Sequence, residues 1–181
     1  ICNILIFTFI SVSSVNGQVN NQNISSILES LYARINKSKV DAERLRINDS
    51  LILIIDSYSL SDSAIDHSFS NLRNLGQITS PDKRVKIIAW NLILLDGTSR
   101  YFCYLIRNEG RGKQNKVFKL TGIKRPETIR TDILYSSNDW YGALYYDIRP
   151  FKTNKQTYYV LLGIDYYSLN VTRKIIDVLS F

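Results

Sequence analysis

Several residue types that build functional sites are scarce in this chain. It contains no methionine, one histidine, two cysteines, three prolines and eight glycines among 181 residues. A single histidine excludes most zinc sites of the usual composition, and so few prolines and glycines exclude collagen-like and largely disordered classes. Because no methionine is present, we expect the chain to be truncated at its N-terminus. The hydrophobic fraction of 45% and the charged fraction of 22% fit one globular domain.

Residues 1–17 resemble part of a secretory signal peptide. They carry no charge, and an apolar run over residues 4–10 is followed by small and polar residues. The run is too short to span a bilayer, which takes about 20 residues. The pattern predicts cleavage near Gly17 and export to the periplasm or cell surface of a Gram-negative bacterium. A buried N-terminal strand is the alternative. Cleavage would leave Cys103 as the one thiol, so no internal disulfide is expected.

Residues 18–80 show helical periodicity. Apolar residues recur three or four positions apart in three successive stripes, which predicts three helices that pack on each other or on a sheet. Ser26 with Glu29 and Ser38 with Asp41 have the spacing of helix N-caps. The third stripe is Ile65, Phe69, Leu72 and Leu75, and Gly76 follows it in the position of a helix-ending glycine.

Residues 81–181 change to β-type sequence, with β-branched and aromatic runs separated by turn signals. The runs begin at Val85, Arg100, Lys116, Ala143, Thr157 and Arg173, and Asp96-Gly97 is a tight-turn dipeptide between the first two. We therefore predict an α+β fold, in which three N-terminal helices are followed by a mostly antiparallel meander of about six strands. The helices and the sheet would form one globular unit, with further strands missing at the C-terminus.

Positive charge is concentrated in the β half. From Pro81 to Phe181, 17 basic residues outnumber nine acidic ones. Such an excess is typical of polyanion binding, although lysines that discourage edge-to-edge pairing of a solvated hairpin give the same pattern. Export argues against nucleic acid as the partner. The candidate polyanion-binding residues are Arg111, Lys113, Lys116, Lys119, Lys124 and Arg125.

Aromatic residues are concentrated in the same half. Eight of the 12 tyrosines lie between Tyr135 and Tyr167. A solvent-facing row of such rings would bind a sugar or a partner protein, whereas ordinary sheet packing is the alternative. The candidate ligand-binding residues are Trp140, Tyr141, Tyr145, Asp139 and Asp165.

Catalytic signals are weak. The sequence has no nucleophile elbow and no phosphate-binding glycine loop, and we predict no cofactor and no metal. Cys103 and His67 could form a thiol–imidazole pair, but Cys103 lies in an apolar run typical of the core. Asp139 and Asp165 are candidate acids for a hydrolase that acts on glycans or envelope polymers.

Several motifs together resemble a family of uncharacterised exported proteins from Bacteroidota. They are Ser80–Lys86 with Trp90, Asp96–Thr98 with Tyr101-Phe102, Trp140–Tyr146, Tyr158–Asp165 and Arg173–Leu179. The resemblance implies an exported protein whose relatives continue with more strands, and it implies no activity. Composition and resemblance together favour a non-enzymatic binding or structural module of the cell envelope, with an unknown envelope protein or a glycan as its partner.

Overall fold

The computed structural model describes residues 15–120, 128–154, 156–168 and 170–181, with side chains from residue 21 onward. The helices are α1 (Val15–Lys37) and α2 (Asp41–Ser59), followed by one 3-10 turn (Asp62–Ala64). The strands are β1 (Gly76–Thr79), β2 (Val85–Ile93), β3 (Ser99–Arg107), β4 (Lys116–Leu120), β5 (Leu144–Thr153), β6 (Gln156–Ser168) and β7 (Val171–Leu179).

The prediction of three helices and one six-stranded meander is wrong. The described ranges contain two α-helices and seven strands, and the strands form two separate antiparallel sheets. One sheet has four strands in the order β1-β2-β3-β4, and the other has three in the order β5-β6-β7. All six predicted strands are present, and Asp96-Gly97 forms the turn between β2 and β3 with Gly97 at φ +82°. β1 was not predicted.

The segment predicted as a third helix is mostly irregular. Its apolar residues Phe69 and Leu72 are buried, as their spacing predicted. Serine, asparagine and aspartate side chains compete with helical backbone hydrogen bonds, and five of them surround these apolar residues: Asp66, Ser68, Ser70, Asn71 and Asn74. The side chain of Gln77 on β1 bonds the backbone of this segment in place of helical hydrogen bonds. It accepts a hydrogen bond from Phe69 N and donates one to Phe69 O, both over 3.0 Å. Gly76 begins a strand and does not end a helix.

The structure tests only some of the predictions made for the N-terminal residues. Residues 1–14 of the predicted signal peptide lie outside the described residues, and α1 begins at Val15. Ser26 is therefore inside a helix and not at its N-cap; its hydroxyl donates to the Gln22 carbonyl over 2.9 Å. Over the described part of the chain, no helix is long and apolar enough to cross a membrane.

The two helices cover one face of the four-stranded sheet. Leu28 of α1 and Leu51 of α2 are fully buried in a core that includes Ile88 and Trp90 of β2. Trp90 Nε1 donates to Asn48 Oδ1 of α2 over 2.8 Å, which gives both buried polar groups a partner. Of the two alternatives for the helices, packing on the sheet is therefore observed.

The opposite face of the four-stranded sheet packs against the three-stranded sheet. Ile87 and Ala89 of β2 belong to a second core, together with Tyr145 of β5 and Leu161 of β6. Neighbouring residues of β2 thus belong to different cores, because successive strand side chains point to opposite faces. The molecule has three layers, in the order helices, four-stranded sheet and three-stranded sheet.

Candidate functional site

Three residues of the predicted aromatic surface lie between the sheets and are not open to solvent. Trp140, Tyr141 and Tyr145 are only 3–4% exposed. Trp140 Nε1 donates to the Tyr145 hydroxyl over 3.0 Å, and Tyr145 donates to Asp177 Oδ2 over 2.6 Å. Tyr141 donates to Asp177 Oδ1. Burial raises the pKa of Tyr145 well above its ordinary value. These groups form a satisfied internal network that supports the packing of the two sheets.

The two predicted acids are in different surroundings. Asp165 on β6 is 0% exposed, and its Oδ2 accepts hydrogen bonds from Arg173 Nε at 2.9 Å and Nη2 at 2.7 Å. A fully buried carboxylate has no access to a substrate. Asp139 is exposed before β5 and accepts a hydrogen bond from Ser136 Oγ at 2.7 Å. The arrangement gives no support to an acid pair for glycan hydrolysis, which needs both groups across one cleft.

The predicted thiol–imidazole pair also finds no support. Cys103 is 1% exposed in the core between the sheets, and burial raises the pKa of its thiol. His67 belongs to the other side of the four-stranded sheet, where its ring contacts Tyr58 and Phe69. A buried thiol of this kind is chemically inert.

Four of the predicted basic residues are described by the structure, and they lie around β4, an edge strand of the four-stranded sheet. Arg111 and Lys113 are exposed on the β3–β4 connection, and Lys116 is exposed at the start of β4. Lys119 forms an ion pair with Asp56 of α2 over 2.6 Å. Lys124 and Arg125 lie outside the described residues.

The side of the three-stranded sheet that faces away from the second core carries a different set of apolar residues from the predicted one. Along β6, the residues from Tyr159 to Asp165 that point inward are buried, and those that alternate with them are half-buried or exposed. The register places Val160 beside Val178 and Leu162 beside Ile176. We call this side the outer sheet face; it comprises Phe151, Tyr158, Val160, Leu162, Ile164, Tyr166, Ile176 and Val178.

The outer sheet face is apolar and open to solvent. Ile176 is 74% exposed and Val178 is 62% exposed, and no described element packs on them. Phe151 and Tyr158 stack on each other with ring centroids 5.3 Å apart. At the start of β5, an irregularity in the strand register follows the buried Tyr145. Its neighbour Tyr146 is 55% exposed.

Charged groups flank the apolar centre. Arg149 and Asp147, which are both on β5, form an ion pair over 3.1 Å. They lie on the same side of the sheet as Val160 and Leu162. Lys174 of β7 stands opposite Ile164 and is exposed. The face is therefore an aliphatic strip with aromatic ends and a mainly basic border.

No family model matches the chain, and no curated protein or solved structure matches it. Among the described residues, no group of three or more histidine, cysteine or acidic side chains could hold a metal ion.

The sequence analysis missed two features, although the residue pattern contains a sign of each. Val160, Leu162 and Ile164 alternate with the buried Tyr159 and Leu161, so β6 is apolar on both sides. Such a strand needs two covers, and the described chain supplies one. The second feature is Lys86, the second residue of the otherwise apolar start of β2, which is fully buried.

Proposed function

We propose that the outer sheet face makes the protein a binding or structural module, and that this surface recognises a partner protein without a catalytic role of its own. The observation that carries this proposal is the row of exposed apolar side chains on a sheet whose other side is already buried. Antiparallel sheets with one solvated face normally place polar residues there. A contiguous apolar surface of this kind is typical of protein interaction sites.

The composition of the face favours a protein over a glycan. Sugar rings stack on aromatic planes, and their hydroxyl groups need nearby polar partners. Here the centre is aliphatic, with Leu162 beside Ile176 and Val160 beside Val178. An apolar surface on a partner protein would be complementary to this strip. The exposed Lys174 at its border favours carboxylates on the edge of that partner surface.

We place the module at the cell envelope because the apolar run at residues 4–10 is typical of an export signal. Fusion of residues 1–30, preceded by an initiator methionine and two lysines in place of the missing positively charged region, to a reporter enzyme that is active only outside the cytoplasm tests this part. Reporter activity is expected, and it should be lost when charged residues interrupt the run. A reporter that stays inactive would contradict export.

The binding surface can be tested by photo-cross-linking. A photoreactive residue at position 176 should give a defined adduct with a partner protein in cells of the source organism. The matched control is position 53, because Leu53 is 69% exposed on α2, away from the outer sheet face. The adduct from position 176 should disappear when Val160→Lys places a charge in the strip. Equal adducts from both positions, or an adduct that survives Val160→Lys, would contradict the proposal.

The β3–β4 connection supports a second candidate function, which is polyanion binding. Arg111, Lys113 and Lys116 are exposed there, and none of them has an ion-pair partner among the described residues. Binding to heparin should weaken steeply between about 50 mM and about 200 mM salt, and each lysine-to-alanine change should reduce the salt slope by about one. Lys119→Ala is the control because this lysine is paired. A flat salt dependence would exclude the site.

A further inference from the structure

A buried lysine is at the boundary between the helices and the four-stranded sheet. Lys86 lies on β2 on the helix-facing side, and it is 0% exposed. Its Nζ donates to the backbone carbonyl of His67 and lies 3.3 Å from Ser68 Oγ. The Tyr58 hydroxyl is 3.5 Å from the same Nζ. Three oxygen atoms therefore surround the amine, and none of them belongs to a carboxylate.

The charge on this amine is poorly compensated. The carboxylate that attracts the Lys86 ammonium is that of Asp66, which is exposed and forms an ion pair with Lys83 over 2.8 Å. Burial lowers the pKa of Lys86 to about 8, although the Asp66 carboxylate raises it. A neutral amine is therefore accessible close to neutral pH, and a neutral amine can accept a proton.

The serine beside Lys86 reaches solvent. Ser68 is exposed, and it lines an open cavity of about 360 Å³ between α1 and the segment after α2. This volume is at the low end of the range for small-molecule sites, which is about 300–1,000 Å³. The α1 side of the cavity carries amide and hydroxyl groups and one carboxylate, that of Glu29. The other side is formed by residues 67–71, which include Phe69, and no lysine or arginine is among the described residues that line the cavity.

We propose that Ser68 is a nucleophile and Lys86 its general base in an acyl-transfer site that takes esters of neutral, hydroxyl-rich alcohols, such as O-acetylated sugars. A hydroxyl activated by a lysine amine is an established variant of the serine–histidine arrangement. The surrounding amides and hydroxyls suit a neutral polyol, and the Glu29 carboxylate disfavours an anionic one.

The reaction balances with water as the second substrate. Ser68 Oγ transfers its proton to the neutral Lys86 Nζ and forms a bond to the ester carbonyl carbon. The carbon–oxygen bond to the alcohol then breaks, and the alcohol leaves with the proton from Nζ. Water next gives a proton to Nζ and attacks the acyl group on Ser68. The acid is released, and the proton on Nζ returns to Ser68 Oγ.

The groups that face Lys86 determine the pH dependence of this step. They are Tyr58 from α2, Asp66 and His67 from the segment after α2, and Ser68 itself. Burial lowers the pKa of His67, and the positive charge of Lys86 lowers it further. The histidine is then neutral across the range in which Lys86 loses its proton, so activity should rise with pH as the lysine becomes neutral.

Labelling with a fluorophosphonate tests the nucleophile without knowledge of the natural substrate. Peptide mapping should find the label on Ser68, and the labelling rate should rise as pH increases from about 7 to about 9. Ser68→Ala should abolish the label, whereas Ser30→Ala, which removes an exposed hydroxyl on α1, should leave it unchanged. A label on another serine, or none, would overturn the assignment.

Acetate release from acetylated glucose tests the reaction itself. The wild-type protein should release acetate, and Ser68→Ala should reduce the rate to that of the buffer. Lys86→Arg keeps a cation and removes the base, so it should lose activity at every pH in that range; a circular dichroism spectrum checks that it is folded. Acetate release that persists in Ser68→Ala would refute the site and would leave the role of the outer sheet face untouched.

Discussion

Substitution of the buried Lys86 by methionine should change how the stability of the protein depends on pH. Methionine has a similar length and carries no charge, and Tyr58 continues to donate to the His67 carbonyl over 2.8 Å. In the folded protein, burial lowers the lysine pKa from the ordinary 10.5 to about 8. Between these values the unfolded chain binds more protons than the folded one, so this lysine makes the free energy of unfolding rise with pH.

The magnitude follows from the two pKa values. Between about pH 7 and about pH 9, the folded lysine loses most of its proton and the unfolded lysine keeps it. The free energy of unfolding of the wild-type protein should therefore gain about 1 kcal/mol relative to Lys86→Met over this interval. Ionisation of Cys103 and of the tyrosines in the unfolded state acts on both proteins equally and cancels in the difference.

Urea unfolding at several pH values measures this difference. Lys39→Met is the control, because Lys39 is exposed between the two helices, and its curve should run parallel to that of the wild-type protein. Parallel curves for Lys86→Met as well would refute the reasoning, since the lysine would then titrate alike in both states. Should Lys86→Met fail to fold, direct NMR titration of the wild-type Nζ gives the same answer, and a value near 10.5 would contradict burial of the charge.

Substitutions at Trp140, Arg173 and Gly142 test the core, and two companion variants serve as comparisons. Trp140→Ala should cost about 3–5 kcal/mol in urea unfolding because it empties a large buried site, whereas Tyr146→Ala on the solvent side should cost less than about 0.5 kcal/mol; equal losses would contradict their placement. Arg173→Met should cost about 3–5 kcal/mol because it leaves the Asp165 carboxylate buried without its guanidinium, and adding Asp165→Asn should restore part of that loss. Gly142→Ala should lower the melting temperature, because φ is +93° and the new Cβ would lie 2.9 Å from a tyrosine ring carbon; an unchanged melt would show that the turn relaxes.

Periodicity alone predicted which side chains are buried better than it predicted the backbone conformation. Phe69 and Leu72 recur at helical spacing and are buried, yet the serines, asparagines and aspartates around them hold the segment in irregular turns. The backbone bonds between Phe69 and Gln77 are a tertiary feature that the sequence pattern does not contain. The same misassignment concealed β1, because Gly76 was given to the end of a helix.

The division into two sheets was beyond the reach of the sequence pattern. Tight or short connections join β2 to β3, β5 to β6 and β6 to β7, and those pairings were predicted. The connection from β4 to β5 runs from Leu120 to Leu144, and a connection of that length lets the chain cross to another layer. That crossing places Trp140 and Tyr145 between the sheets and leaves Val160 and Ile176 outside.

The shared strand β2 has a consequence for how the molecule responds to damage. Ile87 packs towards the second sheet and Ile88 towards the helices, although the two residues are adjacent in the chain. If the helices or the three-stranded sheet unfolded, one side of β2 would be exposed to solvent. Only the layer on the other side of β2 would then still pack on it. β3 has the same arrangement, with Tyr104 in one core and Cys103 in the other. The backbones of β2 and β3 therefore couple the two layers, and the unfolding of one layer should promote the unfolding of the other.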